Sequence, residues 1–161
     1  LQNNRIGDMD PYVIFYLVEE CGMTLDEVKK MLQSQSGLLG LSGGVSNDLR
    51  DIQAAAQQGN TDCQNALNAY AYGIKKYIGA YAAAMNGVDV IVFTGGIGEN
   101  DMYVRGEIIK GLTYLGVDFD EAKNKVRGDE ALLSTPESKV KVCVIPTDEE
   151  WMIASDTQEL C

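Results

Sequence analysis

Residues 91–100 read IVFTGGIGEN, an apolar run that stops at Gly95 and Gly96 and continues through Ile97, Gly98, Glu99 and Asn100. Glycines allow a backbone to turn tightly, and a strand, glycine turn and helix in succession aim backbone N–H groups at an anion. The glycines at 95, 96 and 98 depart from the GxGxxG spacing, so the stretch alone fits a phosphate-binding turn and a plain strand-to-helix connection equally. A second pair, Asp48 and Arg50, follows a glycine-rich segment, SGLLGLSGGVS at 36–46. A guanidinium plane can stack on a purine while a neighbouring carboxylate accepts a hydrogen bond from a ribose or base. The same two residue types also decorate ordinary solvated helix starts. The third stretch is PTDEE at 146–150. There Glu149 falls in a first helical turn, where a carboxylate can hold hydrated Mg²⁺ beside a phosphate or simply complement the helix dipole.

The elements that must position these residues follow from periodicity. Pro11 opens a helix in which Val13, Ile14, Leu17 and Val18 share a face, and Gly22 stops it. Thr24 and Glu27 form a capping-box pattern ahead of Leu25, Val28, Met31 and Leu32. The glycines at 37, 40, 43 and 44 predict a functional loop, and Ser46 or Asp48 caps a helix that ends at Gly59. Thr61 starts the longest helix, whose stripe Leu67, Tyr70, Ile74, Tyr77, Ile78, Tyr81 and Met85 predicts a core-facing element. VDVIVF at 88–93 predicts a strand covered on both faces, leading through the glycine turn into a helix containing Val104, Ile108 and Ile109. VKVCVI at 140–145 alternates like a strand with one wetter face. Thr147 and Glu150 then predict a capping box for a last helix through Trp151. Strands alternating with helices define an α/β class.

Composition narrows the partners. At 161 residues, with 45% hydrophobic and 23% charged content, the chain is long enough for one sizeable core. A net charge of −11 with no basic block repels phosphate backbones and anionic lipid, so neither nucleic acid nor a membrane surface is expected as a partner. Cys21, Cys63, Cys143 and Cys161 lie far apart, and there is no histidine to complete a zinc site. They read as reduced thiols of a cytoplasmic protein. The polar opening LQNNRIGDMD, without an initial Met, reads as the interior of a longer sequence.

Taken in order, RIGDMDP at 5–11, SGLLGLSG at 36–43, NDLRDI at 47–52, YIGAY at 77–81, VFTGGIGEN at 92–100 and VIPTDEE at 144–150 closely resemble the acetate kinase family of short-chain carboxylate kinases. The resemblance implies part of the C-terminal domain of the fold shared by acetate and sugar kinases, Hsp70 chaperones and actin, which is ribonuclease H-like. Residues 1–161 would then be an incomplete nucleotide-binding domain whose N-terminal partner half is absent. The implied activity is ATP-dependent phosphorylation of acetate to acetyl phosphate. Asp48, Leu49 and Arg50 would line the adenosine pocket, and Gly95, Gly96, Ile97, Gly98 and Asn100 the turn under the nucleotide. Glu149 would serve Mg²⁺ or Mn²⁺, and Arg5 would be the catalytic arginine at the acetyl and phosphoryl site. A homodimer in the full-length enzyme is implied too, and the isolated chain is expected to be inactive. A propionate or butyrate kinase, or a non-catalytic nucleotide-binding or dimerisation module, are the alternatives.

Overall fold

A computed structural model describes residues 1–160 and resolves into two compact units, Leu1–Lys76 and the chain from Tyr77 onward.

The first unit is helical. Its helices are α1 (Tyr12–Glu19), α2 (Leu25–Ser34), α3 (Gly37–Leu41), α4 (Leu49–Gln57) and the first part of α5 (Thr61–Ala84). Thr24 caps α2 as the sequence predicts: its side chain accepts from the Glu27 amide while the Glu27 carboxylate accepts from the Thr24 amide. The core comprises Val28, Leu38, Leu49, Ile52, Cys63, Ala66, Leu67 and Ala71. Burying a side chain of the Leu or Ile type stabilises by about 1.5–3 kcal/mol, so this cluster outweighs any single cap. The glycine-rich segment is not wholly the loop its composition suggests, because Gly37–Leu41 winds into α3. The N-terminal residues hold that helix in place: the amides of Ser36, Leu38 and Leu39 donate to the carbonyls of Asn4, Gln2 and Asn3 at 3.0, 2.8 and 3.0 Å.

The second unit is α/β. After the rest of α5 come β1 (Val90–Phe93), α6 (Gly95–Asn100), α7 (Met102–Ile109), β2 (Ala131–Leu132), β3 (Lys141–Val144) and α8 (Glu149–Leu160), with short 3-10 turns at 113–115 and 123–125. The sheet order is β1-β3-β2. β1 runs parallel to β3 with Phe93 opposite Val144, and β2 is antiparallel to β3. Parallel neighbours require a crossover, and α6 and α7 supply it. Ile91, Phe93, Val142 and Val144 form the covered sheet face, and Val104, Ile108, Ile109 and Leu112 are buried in the same unit.

Several expectations change here. β1 is covered on one face only, with Val90 and Val92 exposed, so its continuous apolar run does not mark a doubly buried strand. On α5 the buried seam is made largely of small residues, Cys63, Ala66, Ala71 and Ala82, and the expected core residues Tyr77, Tyr81 and Met85 are exposed. VKVCVI alternates as expected: Val142 and Val144 are buried, Lys141 and Cys143 half-buried. Cys21, Cys63 and Cys143 are free thiols, and Cys161 lies outside the described residues.

Candidate functional site

In the second unit the site grows from sheet register. Because β1 and β3 are parallel and in line at Phe93 and Val144, the turns that leave them emerge at the same end of the sheet. The Ile145 amide still donates to the Phe93 carbonyl at 3.0 Å, after which the strands part. The carboxyl end of parallel strands is where α/β proteins build ligand sites, since loops diverge there and helix starts point inward.

The glycine stretch is more regular than a bare turn. Gly95–Asn100 forms the six-residue α6, and Asp101 caps α7 through the Val104 amide at 3.0 Å. Gly98 packs so closely on β1 that a Cβ would sit 3.2 Å from the Phe93 carbonyl carbon. Asn100 Nδ2 donates to the Gly96 carbonyl at 2.9 Å, which turns the Asn100 side chain back on its own helix. The Gly95 amide, which the sequence would aim at a phosphate, already donates to Glu99 Oε1 at 2.8 Å. The amides of Gly96 and Ile97 remain as donors for a ligand, since a first helical turn offers them no intrahelical partner.

Glu99 is the residue the sequence reading missed. Its Oε1 also accepts from the Thr147 amide at 2.8 Å and the Thr147 hydroxyl at 3.0 Å. These donors, the Thr147 amide foremost, hold the Glu99 carboxyl below its ordinary range. Thr147 is therefore engaged away from Glu150, and the predicted capping box does not form. The cap of α8 is Asp148, whose Oδ1 accepts from the Trp151 amide at 3.1 Å. The only local signal for Glu99 was an acid in a glycine turn, and its partner lies 48 residues away.

Arg105 supports the turn from beneath. It is fully buried, and its guanidinium donates to Asn124 Oδ1 and to the carbonyls of Gly98, Asn124 and Val126, each at 2.8 Å. Burial pulls its pKa down, partly offset by the Asp101 carboxylate. Glu149 stands exposed in the first turn of α8. Among the described residues no group of three His, Cys, Asp or Glu side chains is placed to hold a metal. A lone carboxylate still suits Mg²⁺, which is commonly held by one or two carboxylates together with water and substrate phosphates.

In the first unit, Asp48 caps α4 by accepting from the Arg50 amide at 2.8 Å. The Arg50 guanidinium folds back on the same carboxylate, with NH2 to Oδ2 at 2.5 Å, and this pairing lowers the Asp48 pKa to about 2. Arg50 remains 81% exposed, so its planar face is open while its edge is engaged. Leu49 points into the core, which leaves its backbone as the part able to meet a ligand. Arg5 is exposed on the N-terminal segment, and Asn3 Nδ2 of that segment donates to the Asn47 carbonyl at 3.0 Å. The N-terminal segment that carries Arg5 is thus tied to the residue preceding Asp48, just as the glycine turn is tied to Thr147 in the second unit.

Two hydrogen-bonded assemblies, one helical and one at the carboxyl end of a parallel strand pair, define an α/β chain of the acetate and sugar kinase fold. The chain belongs to the Acetokinase family, whose profile matches residues 2–155. An acetate kinase from Fervidobacterium nodosum is 50% identical over 99% of this chain and 40% of its own length. The crystal structure of Porphyromonas gingivalis acetate kinase superposes with a TM-score of 0.90 at 49% identity, covering 98% of this chain and 39% of that one. A propionate kinase structure from Francisella tularensis gives 0.84 at 36% identity, over 94% and 38%. The chain therefore spans about 40% of the length of the curated relatives it matches. The match establishes membership over residues 2–155 of this chain.

Proposed function

We propose that the chain is the adenosine-binding, C-terminal portion of a kinase that transfers the γ-phosphoryl group of ATP to acetate, reversibly, giving acetyl phosphate and ADP. The observation that carries this reading is the family match along residues 2–155, within which lie all the candidate residues. The arrangement of groups supports it. Arg50 offers an open guanidinium face for a purine, with Asp48 fixing its edge. Gly96 and Ile97 offer amides for phosphate oxygens, Gly98 lets that turn pack tightly on β1, and the Asn100 side chain bonds back to the Gly96 carbonyl within it.

Both reactants are anions, so the site must supply positive charge and hydrogen-bond donors where negative charge accumulates. The acetate oxygen attacks the γ-phosphorus in line as the bond to the bridging oxygen breaks, and ADP departs with that electron pair. Arg5 neutralises the transferring group. Glu149 is the carboxylate of this chain that would hold Mg²⁺ or Mn²⁺, which when bound withdraws charge from the phosphates. The remaining substrate contacts come from the rest of a polypeptide of the relatives' length, so the isolated chain is expected to bind without turning over. A homodimeric, cytoplasmic enzyme is part of the same proposal.

The similarity to a propionate kinase supports a second reading in which a longer acyl group is accepted. One methylene is worth about 1–3 kcal/mol in an apolar pocket, an amount that a small pocket change reverses. The test is steady-state phosphorylation of acetate, propionate and butyrate by a longer polypeptide carrying this chain. Higher kcat/KM for acetate, falling on the order of a hundredfold or more in Arg5→Ala, is expected. Equal activity of Arg5→Ala would remove Arg5 from the mechanism, and a preference for propionate would favour the second reading.

A further inference from the structure

The two turns at the end of the sheet leave different strands, and beyond the Ile145–Phe93 backbone bond one carboxylate oxygen joins them. Glu99 Oε1 gathers the amide of Gly95, the amide of Thr147 and the hydroxyl of Thr147 within 3.0 Å. A charged acceptor makes shorter and stronger hydrogen bonds than a neutral one, and donors converging on one oxygen fix their mutual geometry. Thr147 immediately precedes Asp148, the cap of α8, and Glu149, the carboxylate assigned to the metal.

We infer that Glu99 is a positioning residue that locks the glycine turn to the Thr147–Glu149 turn, so that a nucleotide held at Gly96 and Ile97 sets the placement of Glu149 and of the start of α8. The inference rests on reading Gly95–Asn100 as the nucleotide turn. Glu99 itself touches no substrate: its bonds go to the protein, and its effect is to make two chain segments 48 residues apart respond as one. Gly98, packed against Phe93, and Arg105, donating to the Gly98 carbonyl, hold the back of α6 still, so motion of the turn is transmitted forward through Glu99.

Trp151, the only tryptophan, donates its amide to Asp148 and is exposed on α8, which makes it a reporter of the second turn. The experiment compares the 161-residue chain with Glu99→Ala and Glu99→Gln, measuring MgADP binding by calorimetry and by Trp151 fluorescence, and amide hydrogen exchange without ligand. In Glu99→Ala the Gly95 and Thr147 amides should exchange on the order of tenfold faster together, while the Leu133 amide, bonded to the Val142 carbonyl, stays protected. MgADP should still bind to that variant with the Trp151 response largely lost, and Glu99→Gln, which keeps an acceptor oxygen, should restore part of it. Binding with an unchanged Trp151 response and unchanged Thr147 protection in Glu99→Ala overturns the inference alone. Absence of calorimetric binding by the folded unmutated chain overturns the nucleotide reading and this inference with it.

Discussion

Asp48 and Arg105 show how one chain uses charge in two opposite settings. Asp48 is exposed enough to be solvated, and hydrogen bonds from Arg50 lower its pKa to about 2. A carboxyl depressed in the folded state contributes stability that is fully present above its unfolded value, 3.8, and is lost as pH falls through the folded value. The cap of α4 should therefore persist to about pH 2. An NMR titration of the Asp48 carboxyl should show that midpoint, moving back toward the ordinary 3.8 in Arg50→Ala. Arg105 is fully buried, and its value rests on four satisfied acceptors. Arg105→Ala strands those acceptors and leaves a cavity, which should cost about 3–5 kcal/mol in urea unfolding of the second unit. A loss below about 1 kcal/mol would mean that water replaces the guanidinium without penalty.

At the scale of elements, two glycines carry positions no other residue fills. Gly37 has φ +63° at the start of α3, and a Cβ there would lie 2.2 Å from the Gln2 carbonyl oxygen and 2.7 Å from that of Arg5. Gly37→Ala should release the N-terminal segment, seen as loss of Leu38 amide protection and faster proteolysis before residue 7. Gly98→Ala pushes α6 off β1 and should cost about 1–3 kcal/mol, read as a lowered Tm. Local chemistry was legible wherever neighbours in sequence decide the outcome. The Thr24–Glu27 box, the Asp48 cap and the alternation of β3 all follow from residues within a few positions of one another. The residues of the candidate site were proposed from resemblance, not from local pattern. What local pattern could not reveal is long-range: Thr147 turns to Glu99, not Glu150, because tertiary register places a charged acceptor beside it. Likewise the glycine-rich segment closes into α3 because the backbone of residues 2–4 supplies acceptors for its first amides. The tyrosine stripe of α5 has helical period, but period identifies an apolar face without saying what covers it.

For the whole molecule, the net charge of −11 and the anionic ligands proposed for it pull in opposite directions. Binding must come from short-range donors, Arg50 and the Gly96 and Ile97 amides among them, working against an unfavourable long-range field. Added salt screens that field, so affinity for MgADP should fall much less with ionic strength than that of a basic nucleotide-binding surface. Exposed apolar residues on α8, Trp151, Met152 and Ile153, and on α5, Tyr77, Tyr81 and Met85, are the surfaces that the rest of a kinase or a second copy would cover under the proposal. The central claim is that the chain carries the adenosine half of a kinase site. Its most direct test is calorimetric titration of the folded 161-residue chain with MgADP, beside Arg50→Ala. Saturable binding at one nucleotide per chain, weakened about tenfold or more by the substitution, is the predicted result. No binding by the folded chain, or equal binding by Arg50→Ala, would contradict it.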